Sequence, residues 1–282
     1  MRSSIECIPC LARQAMEASG FAIEDEAERE RIVRLLIREI AGMDFGKSPP
    51  VAAQKMHRLL RRETGTTDPY RAAKRRFNAL ALQLLPSFER KIAESTDPFF
   101  AAVRIAIAGN VIDLGVKGDL SESEAFDTVR RAFDVTVEGD IGAFNEAVAS
   151  AGKILYLADN AGEIVFDVPL IRALPAGRVT VAVRGRPVIN DATMEDAVAA
   201  GVPDIAPVID NGSDAPGTVL EDCSAAFRRA YENADLVIAK GQGNYETLCD
   251  EKKNIYFLFK VKCPVVSSLA GLPVGAHVLL KL

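Results

Sequence analysis

Five short apolar runs in the second half of the chain, each followed by a polar loop, leave few folds open. The runs occupy residues 154–157, 179–183, 205–209, 236–239 and 255–259, and helical patterns separate them, including one from about residue 216 to 231. Strands buried on both faces are unbroken apolar runs, and their alternation with helices predicts a parallel, doubly wound sheet. Right-handed crossovers send such strands in one direction. Residues 277–280 are expected to add an edge strand.

The first half of the chain has apolar residues at helical spacing instead. Helices are predicted near residues 24–42, 49–60, 67–86, 99–113, 123–133 and 141–151, several of them opened by Ser-Pro or Asp-Pro. We therefore predict an α/β protein with two domains. An all-helical N-terminal domain is expected over residues 1–100, and a mainly parallel α/β domain over residues 101–282.

Charge and hydropathy exclude several classes of protein. The formal net charge is −5, whereas a broad nucleic-acid surface needs clustered Lys and Arg. The N-terminus lacks the apolar stretch of a secretory signal, and the most apolar segment, residues 99–111, is too short to cross a bilayer. We expect a cytoplasmic protein with no nucleic-acid or membrane partner, whereas the oligomeric state is left open.

Unusual polar residues follow the predicted strands rather than precede them. Asp159 and Asn160 come after the first strand, Asp191 after the second, Lys240 after the fourth and Lys260 after the fifth. In open parallel sheets the loops after the carboxyl ends of the strands converge on one crevice, where ligands bind. Oxygen ligands suit hard cations, so Asp159, Asn160 and Asp191 are candidates for a divalent-metal site.

Each of these residues also has a plain structural interpretation. Asp159 and Asn160 could form a turn with an Asx hydrogen bond, and Asp191 could cap the next helix. Their conjunction at one crevice favours a site.

The segment Lys240-Gly241-Gln242-Gly243-Asn244 is typical of a phosphate cradle, because glycines let backbone N–H groups approach an anion at the start of a helix. A tight strand-to-helix turn with a solvated lysine explains it equally well. Lys260 ends a strongly apolar run and should face the crevice or be paired.

Two further patterns remain ambiguous. Asn110 and Asp113 share a helix face, so Asn110 either touches the substrate or caps the helix. Cys7 and Cys10 have the spacing of half a zinc site or of a redox pair, but the other half is missing, and two reduced structural thiols are the favoured interpretation.

Taken together, these segments resemble the damage-control phosphatase family, formerly domain of unknown function 89. The resemblance is carried by LADNAGE at 157–163 with Asp167, INDAT at 189–193, KGQGNYETL at 240–248 and FKVKCPVV at 259–266. The segments ECIPC at 6–10 and GNVID at 109–113 resemble its compact prokaryotic, cysteine-containing branch. The matching segments span nearly the whole chain in the expected order.

This resemblance implies a Rossmann-like α/β/α sandwich under a helical N-terminal unit, and a phosphatase that uses one divalent ion, Mg, Mn, Co or Ni, on small phosphorylated metabolites. It assigns the metal to Asp159, Asn160 and Asp191. It assigns the substrate phosphate to Asn160 and to the residues of two later loops, which are Lys240, Gly241, Gly243, Asn244 and Lys260.

The predicted mechanism is attack of water on phosphorus. The metal or Glu163 would activate the water, and Lys240 and Lys260 would balance the phosphate charge. Two alternatives stay open. One is an S-adenosylmethionine-dependent carboxyl methyltransferase, which needs no metal. The other is a sugar-phosphate-binding protein without turnover.

Overall fold

The computed structural model describes residues 1–109 and 133–282. Its first part is helical. Helices begin where the sequence offers caps: Asp25 and Asp97 each accept a hydrogen bond from the backbone N–H three residues later. The helices are α1 (Cys7–Ala22), α2 (Glu26–Ala41), α3 (Pro49–Thr64), α4 (Arg71–Glu94) and α5 (Pro98–Ala108).

Helices α1 to α3 enclose a small core of their own. Leu36, Met56 and Leu60 are fully buried there. Helix α4 was expected to run toward Pro86, but it continues through this exposed proline to Glu94. Leu84 and Phe88 flank Pro86 and are buried in the main core, so tertiary packing outweighs the local cost of the proline. Part of the predicted helix 99–113, and most of the predicted helix 123–133, lie outside the described residues.

The second part alternates strands and helices, as the apolar runs predict. The strands are β1 (Val137–Glu138), β2 (Ile154–Leu157), β3 (Val179–Val183), β4 (Val208–Asp210), β5 (Leu236–Lys240), β6 (Ile255–Lys260) and β7 (His277–Lys281). The helices are α6 (Ile141–Ser150), α7 (Glu163–Ala173), α8 (Met194–Ala199), α9 (Ala225–Asn233), α10 (Gly241–Leu248) and α11 (Pro264–Ala270). Short 3-10 turns lie at Val202–Asp204 and Leu220–Asp222.

The described strands form one sheet in the order β1-β7-β6-β5-β2-β3-β4. Successive residues of β2 face opposite cores: Ile154 and Tyr156 pack with α4 to α8, whereas Leu155 and Leu157 pack with α9 to α11. Helices therefore cover both faces of the sheet, and the predicted α/β/α sandwich with a helical N-terminal region is confirmed.

Three details of the sheet differ from the sequence expectation. Strand β7 runs antiparallel to β6, and β1 pairs with β7, so the strands do not all share one direction and β7 is not an edge strand. Strand β4 begins at Val208 rather than at residue 205, because a 3-10 turn precedes it. Helix α9 begins at Ala225, because residues 211–222 form a loop that packs on α3 through buried Asp214.

Strands β2 and β5 are parallel neighbours in the middle of the sheet. From β2 the chain continues to β3 on one side, and from β5 it continues to β6 on the other side. Such a reversal of strand order opens a crevice at the carboxyl ends of the two strands. Among the described residues, no helix has the length and apolar character needed to cross a membrane.

Candidate metal and phosphate site

The loops that follow β2 and β3 are hydrogen-bonded to each other at the crevice. The backbone N–H of Ala192 donates to the carbonyl oxygen of Asp159 at 2.7 Å, and that of Ala161 donates to Asn190 at 2.8 Å. Asn160 and Asp191 thereby form an isolated antiparallel bridge. The structure thus brings together Asp159, Asn160 and Asp191, which all line one cavity of about 340 Å³.

The amide of Asn160 has a defined orientation. Its Nδ2 donates to Asp159 Oδ2 at 2.8 Å and to Glu163 Oε2 at 3.0 Å. Because both N–H groups are engaged by carboxylates, the amide oxygen is the group that remains for a ligand. Two carboxylates and an amide oxygen are a donor set of the kind that Mg²⁺ and similar hard cations accept.

Electrostatics at this site also favour a cation. Burial raises the pKa of Asp159 well above its usual range, and the charges of Glu163 and Asp191 raise it further. Burial likewise raises the pKa of Asp191, against the opposing charge of Arg184. Within residues 1–109 and 133–282, no group of three or more His, Cys, Asp or Glu side chains is placed to hold a metal, so the donor set needs Asn160.

The balance of charged side chains around the site also favours a cation. Four carboxylates face three basic side chains, which leaves an excess of one negative charge that a divalent cation would compensate. The seven residues are Asp159, Glu163, Asp167, Asp191, Arg184, Lys240 and Lys262. The residues present therefore fit a divalent ion.

Arg184 is a site residue that the sequence reasoning missed. It directly follows β3, its side chain is 2% exposed, and its Nε donates to Asp191 Oδ2 at 2.6 Å. Its Nη2 lies 3.8 Å from Asp159 Oδ1. The signal was present, since a charged residue at the end of an apolar strand was the reason for selecting Lys260.

The glycine turn lies directly against the carboxylate of Asp159. Gly241 has φ +78°, and a Cβ atom there would lie 1.9 Å from Asp159 Oδ2. A Cβ on Gly243 would instead lie 2.4 Å from the carbonyl oxygen of Pro216. Asn244 is buried and donates to the Lys240 carbonyl oxygen at 2.7 Å, so its side chain fixes the turn.

Lys240 does not line the cavity and lies in the interior behind it. Its fully buried Nζ contacts Glu163 Oε1 at 2.8 Å and Asp167 Oδ1 at 2.5 Å. Burial raises the pKa of Asp167 to about 6, although the charge of Lys240 opposes this. Because Glu163 also accepts from Asn160, Lys240 is connected to the Asn160 amide through Glu163 and is not part of the cavity lining.

The two lysines at the end of β6 and just after it differ in position. Lys260 ends the strand in register with His277 of β7 and is not among the residues that line the cavity. Lys262 lies two residues later, is exposed and lines the cavity, and its charge acts to lower the pKa of Asp159. Sequence reasoning selected Lys260, which stays a predicted phosphate contact, and did not single out Lys262.

The remaining candidates are Asn110, Cys7 and Cys10. Asn110 lies outside the described residues. Its neighbour Gly109 packs closely on α7, since a Cβ there would lie 3.3 Å from Glu163 Cγ. Cys7 and Cys10 lie in the first turn of α1 and line the same cavity as Cys263, all as free thiols.

Known proteins resemble this chain over nearly its whole length. The family model described as the damage-control phosphatase ARMT1-like domain matches residues 3–278. A damage-control phosphatase of Archaeoglobus fulgidus is 36% identical over 283 residues, covering 98% of this chain and 97% of that protein. One of Pyrococcus horikoshii is 33% identical over 287 residues, covering 100% of this chain and 98% of that protein. The crystal structure of a DUF89 family protein from Pyrococcus horikoshii has a TM-score of 0.92 at 33% identity, covering 100% of this chain and 99% of that one.

Proposed function

The chain belongs to the damage-control phosphatase ARMT1-like family, and we propose that it hydrolyses small phosphorylated metabolites with one divalent ion held by Asp159, Asn160 and Asp191. The observation that carries this proposal is the convergence of these three side chains on one cavity beside the glycine turn of Gly241. The excess negative charge around them supports a cation at this position.

The chemistry that a bound divalent ion supplies is stabilisation of negative charge on the phosphate oxygens. The chain supplies the rest. The ammonium of Lys262 and the backbone at the start of α10 attract the phosphate dianion. Arg184 holds the carboxylates of Asp191 and Asp159 in place. Glu163 fixes the Asn160 amide, and we retain it as a candidate to accept a proton from the attacking water.

Several finer assignments are part of this proposal. The ion is one of Mg, Mn, Co or Ni, the substrate is small because the cavity is small, and the location is cytoplasmic without nucleic-acid or membrane partners. Asn110 and Lys260 stay predicted substrate contacts. Residues 1–100 and 101–282 are the proposed domains.

Phosphate release from p-nitrophenyl phosphate and from a panel of phosphorylated metabolites, with and without each metal, tests the function. Asp159→Asn should reduce metal affinity by calorimetry and abolish metal-dependent turnover. Asp210→Asn is the matched control, because Asp210 also lies at the carboxyl end of a strand region but is exposed and lies outside the cavity lining.

Wild-type activity that is independent of added metal after chelation would refute the proposal. Metal-free binding of S-adenosylmethionine would favour the methyltransferase, and binding of a sugar phosphate without turnover would favour the binding protein.

A further inference from the structure

Helix α10 places a further acidic side chain, Glu246, in the cavity, one turn beyond the glycine turn. Glu246 lies four residues after Gln242 and three after Gly243, so it shares a helix face with each of them, and all three line the cavity that contains Asp159. A phosphate at the start of the helix would therefore direct its ester group along this face. Glu246 is 8% exposed, at the cavity wall.

The side chain of Glu246 points back toward the phosphate end of the helix, as helical side chains do. Gln242 Nε2 donates to Glu246 Oε1 at 2.7 Å. The orientation of Gln242 is itself fixed, because its Oε1 accepts the backbone N–H of Lys262 at 2.8 Å. Gln242 thus occupies one carboxyl oxygen of Glu246 and leaves Oε2 to carry a proton.

We propose that Glu246 is the general acid that protonates the leaving-group oxygen, an inference that rests on the phosphatase function proposed above. Water attacks phosphorus while the ester P–O bond breaks, and the electron pair of that bond goes to the leaving oxygen. The Glu246 carboxyl gives this oxygen its proton, so the products are an alcohol and hydrogen phosphate. The attacking water loses its second proton to Glu163, which releases it to bulk water, and the Glu246 carboxylate takes up a proton from bulk water to complete the cycle.

The surroundings of Glu246 suit this role. Burial raises its pKa to about 7, against the hydrogen bond from Gln242 and the charges of the Met1 amino group and Lys262. From α1, Cys10 faces it, and burial raises the pKa of that thiol, so the thiol is neutral there. At neutral pH, an acid with a pKa near 7 is protonated in a large fraction of the molecules and can donate its proton. Its conjugate base then readily regains a proton for the next turnover.

Glu163 and Glu246 are therefore assigned different tasks. Glu163 does not line the cavity and is engaged by Lys240 and by Asn160 on its two oxygens. Glu246 lines the cavity beside Gln242 and Gly243, and the ester group is expected on this side. Sequence reasoning included Glu246 only as a letter of the KGQGNYETL segment.

Leaving-group dependence provides the test. An alkyl alkoxide is strongly basic and needs a proton as it leaves, whereas p-nitrophenolate does not. In the manganese-loaded protein, Glu246→Gln should lower kcat/KM for glycerol phosphate about 100-fold or more, and for p-nitrophenyl phosphate less than about tenfold. Glu6→Gln is the matched control, because Glu6 lines the same cavity from the N-terminal segment and should not change the ratio of the two rates.

A second measurement needs neither metal nor a variant that is active. The infrared difference between wild-type and Glu246→Gln protein should contain a protonated carboxyl band that disappears with a midpoint of about 7. Equal losses on both esters, no loss on either, or a carboxyl already ionised well below this pH would each overturn the assignment. A wild-type protein that hydrolyses neither ester with any metal would instead refute the phosphatase proposal.

Discussion

Replacing Gly241 by alanine tests the candidate site most directly, because the structure separates the two effects of the change. The new Cβ would lie 1.9 Å from Asp159 Oδ2 and 2.1 Å from Cγ, and ordinary contact begins near 3.4 Å. The carboxylate must therefore retreat by about 1.5 Å. That movement would break its 2.8 Å hydrogen bond from Asn160 and take it out of line with Asp191.

The expected loss of activity is large and the expected loss of stability is moderate. A displacement of about 1 Å in a catalytic group costs on the order of 100-fold in rate. An alanine at positive φ costs about 1–2 kcal/mol of folding free energy. Gly241→Ala should therefore stay folded, and kcat/KM and metal affinity should both fall, the former about 100-fold.

Gly177→Ala is the matched control for the backbone effect. Gly177 has φ +75°, close to the +78° of Gly241, but a Cβ there would meet nothing within 4 Å. Thermal unfolding should show similar losses for the two variants, whereas only Gly241→Ala should lose metal affinity and activity. A Gly241→Ala protein with wild-type kcat/KM and metal affinity would show that Asp159 is not a ligand in this position.

Three further results are expected. Lys240→Met leaves the buried carboxylates of Glu163 and Asp167 without their cation and should lower the free energy of unfolding in urea by about 3–5 kcal/mol; an unchanged midpoint would contradict the buried pairing. The pKa of Asp167, about 6, lies above the usual aspartate value of 3.8, so the unfolded chain releases this proton at lower pH than the folded chain does. Stability contributed by this carboxyl should then fall as pH rises from about 4 to about 6, and Asp167→Asn should lack that part of the slope. Asp214→Ala removes the buried partner of two arginines on α3 and should cost about 2–3 kcal/mol, whereas Glu30→Ala, in an exposed pair, should cost under about 1 kcal/mol by the same denaturation.

The sequence predicted the sandwich because apolar runs and helical spacing are local signals. It could not predict the partner of β7, because the register with His277 and the pairing with β1 depend on contacts between distant segments. The same limit applies to the start of α9. Residues 211–222 were assigned in part to a helix, but Asp214 is held by Gln54 and Arg58 of α3, and that contact is not visible in local composition.

The same difference between local signals and distant contacts applies to the candidate site residues. The rule that ligands lie after the carboxyl ends of parallel strands located the right loops, and the structure brings Asp159, Asn160 and Asp191 to one cavity. The rule does not say which way a side chain turns. Lys260 is the last residue of β6 and Lys262 lies two residues later, yet of the two only Lys262 lines the cavity.

Lys240 illustrates why charge alone is a poor guide to which lysine meets a phosphate. At the end of a strand buried along its whole length, a lysine either reaches the crevice or needs an internal partner. Here two partners come from α7, and the carboxylate of Glu163 that receives Lys240 also receives the Asn160 amide. The single charge of Lys240 compensates part of the charge of Glu163 and Asp167, whereas Asp159 and Asp191 line the cavity. In the proposed mechanism, a buried lysine thus serves the anionic substrate indirectly, because it holds the carboxylate that orients the Asn160 amide.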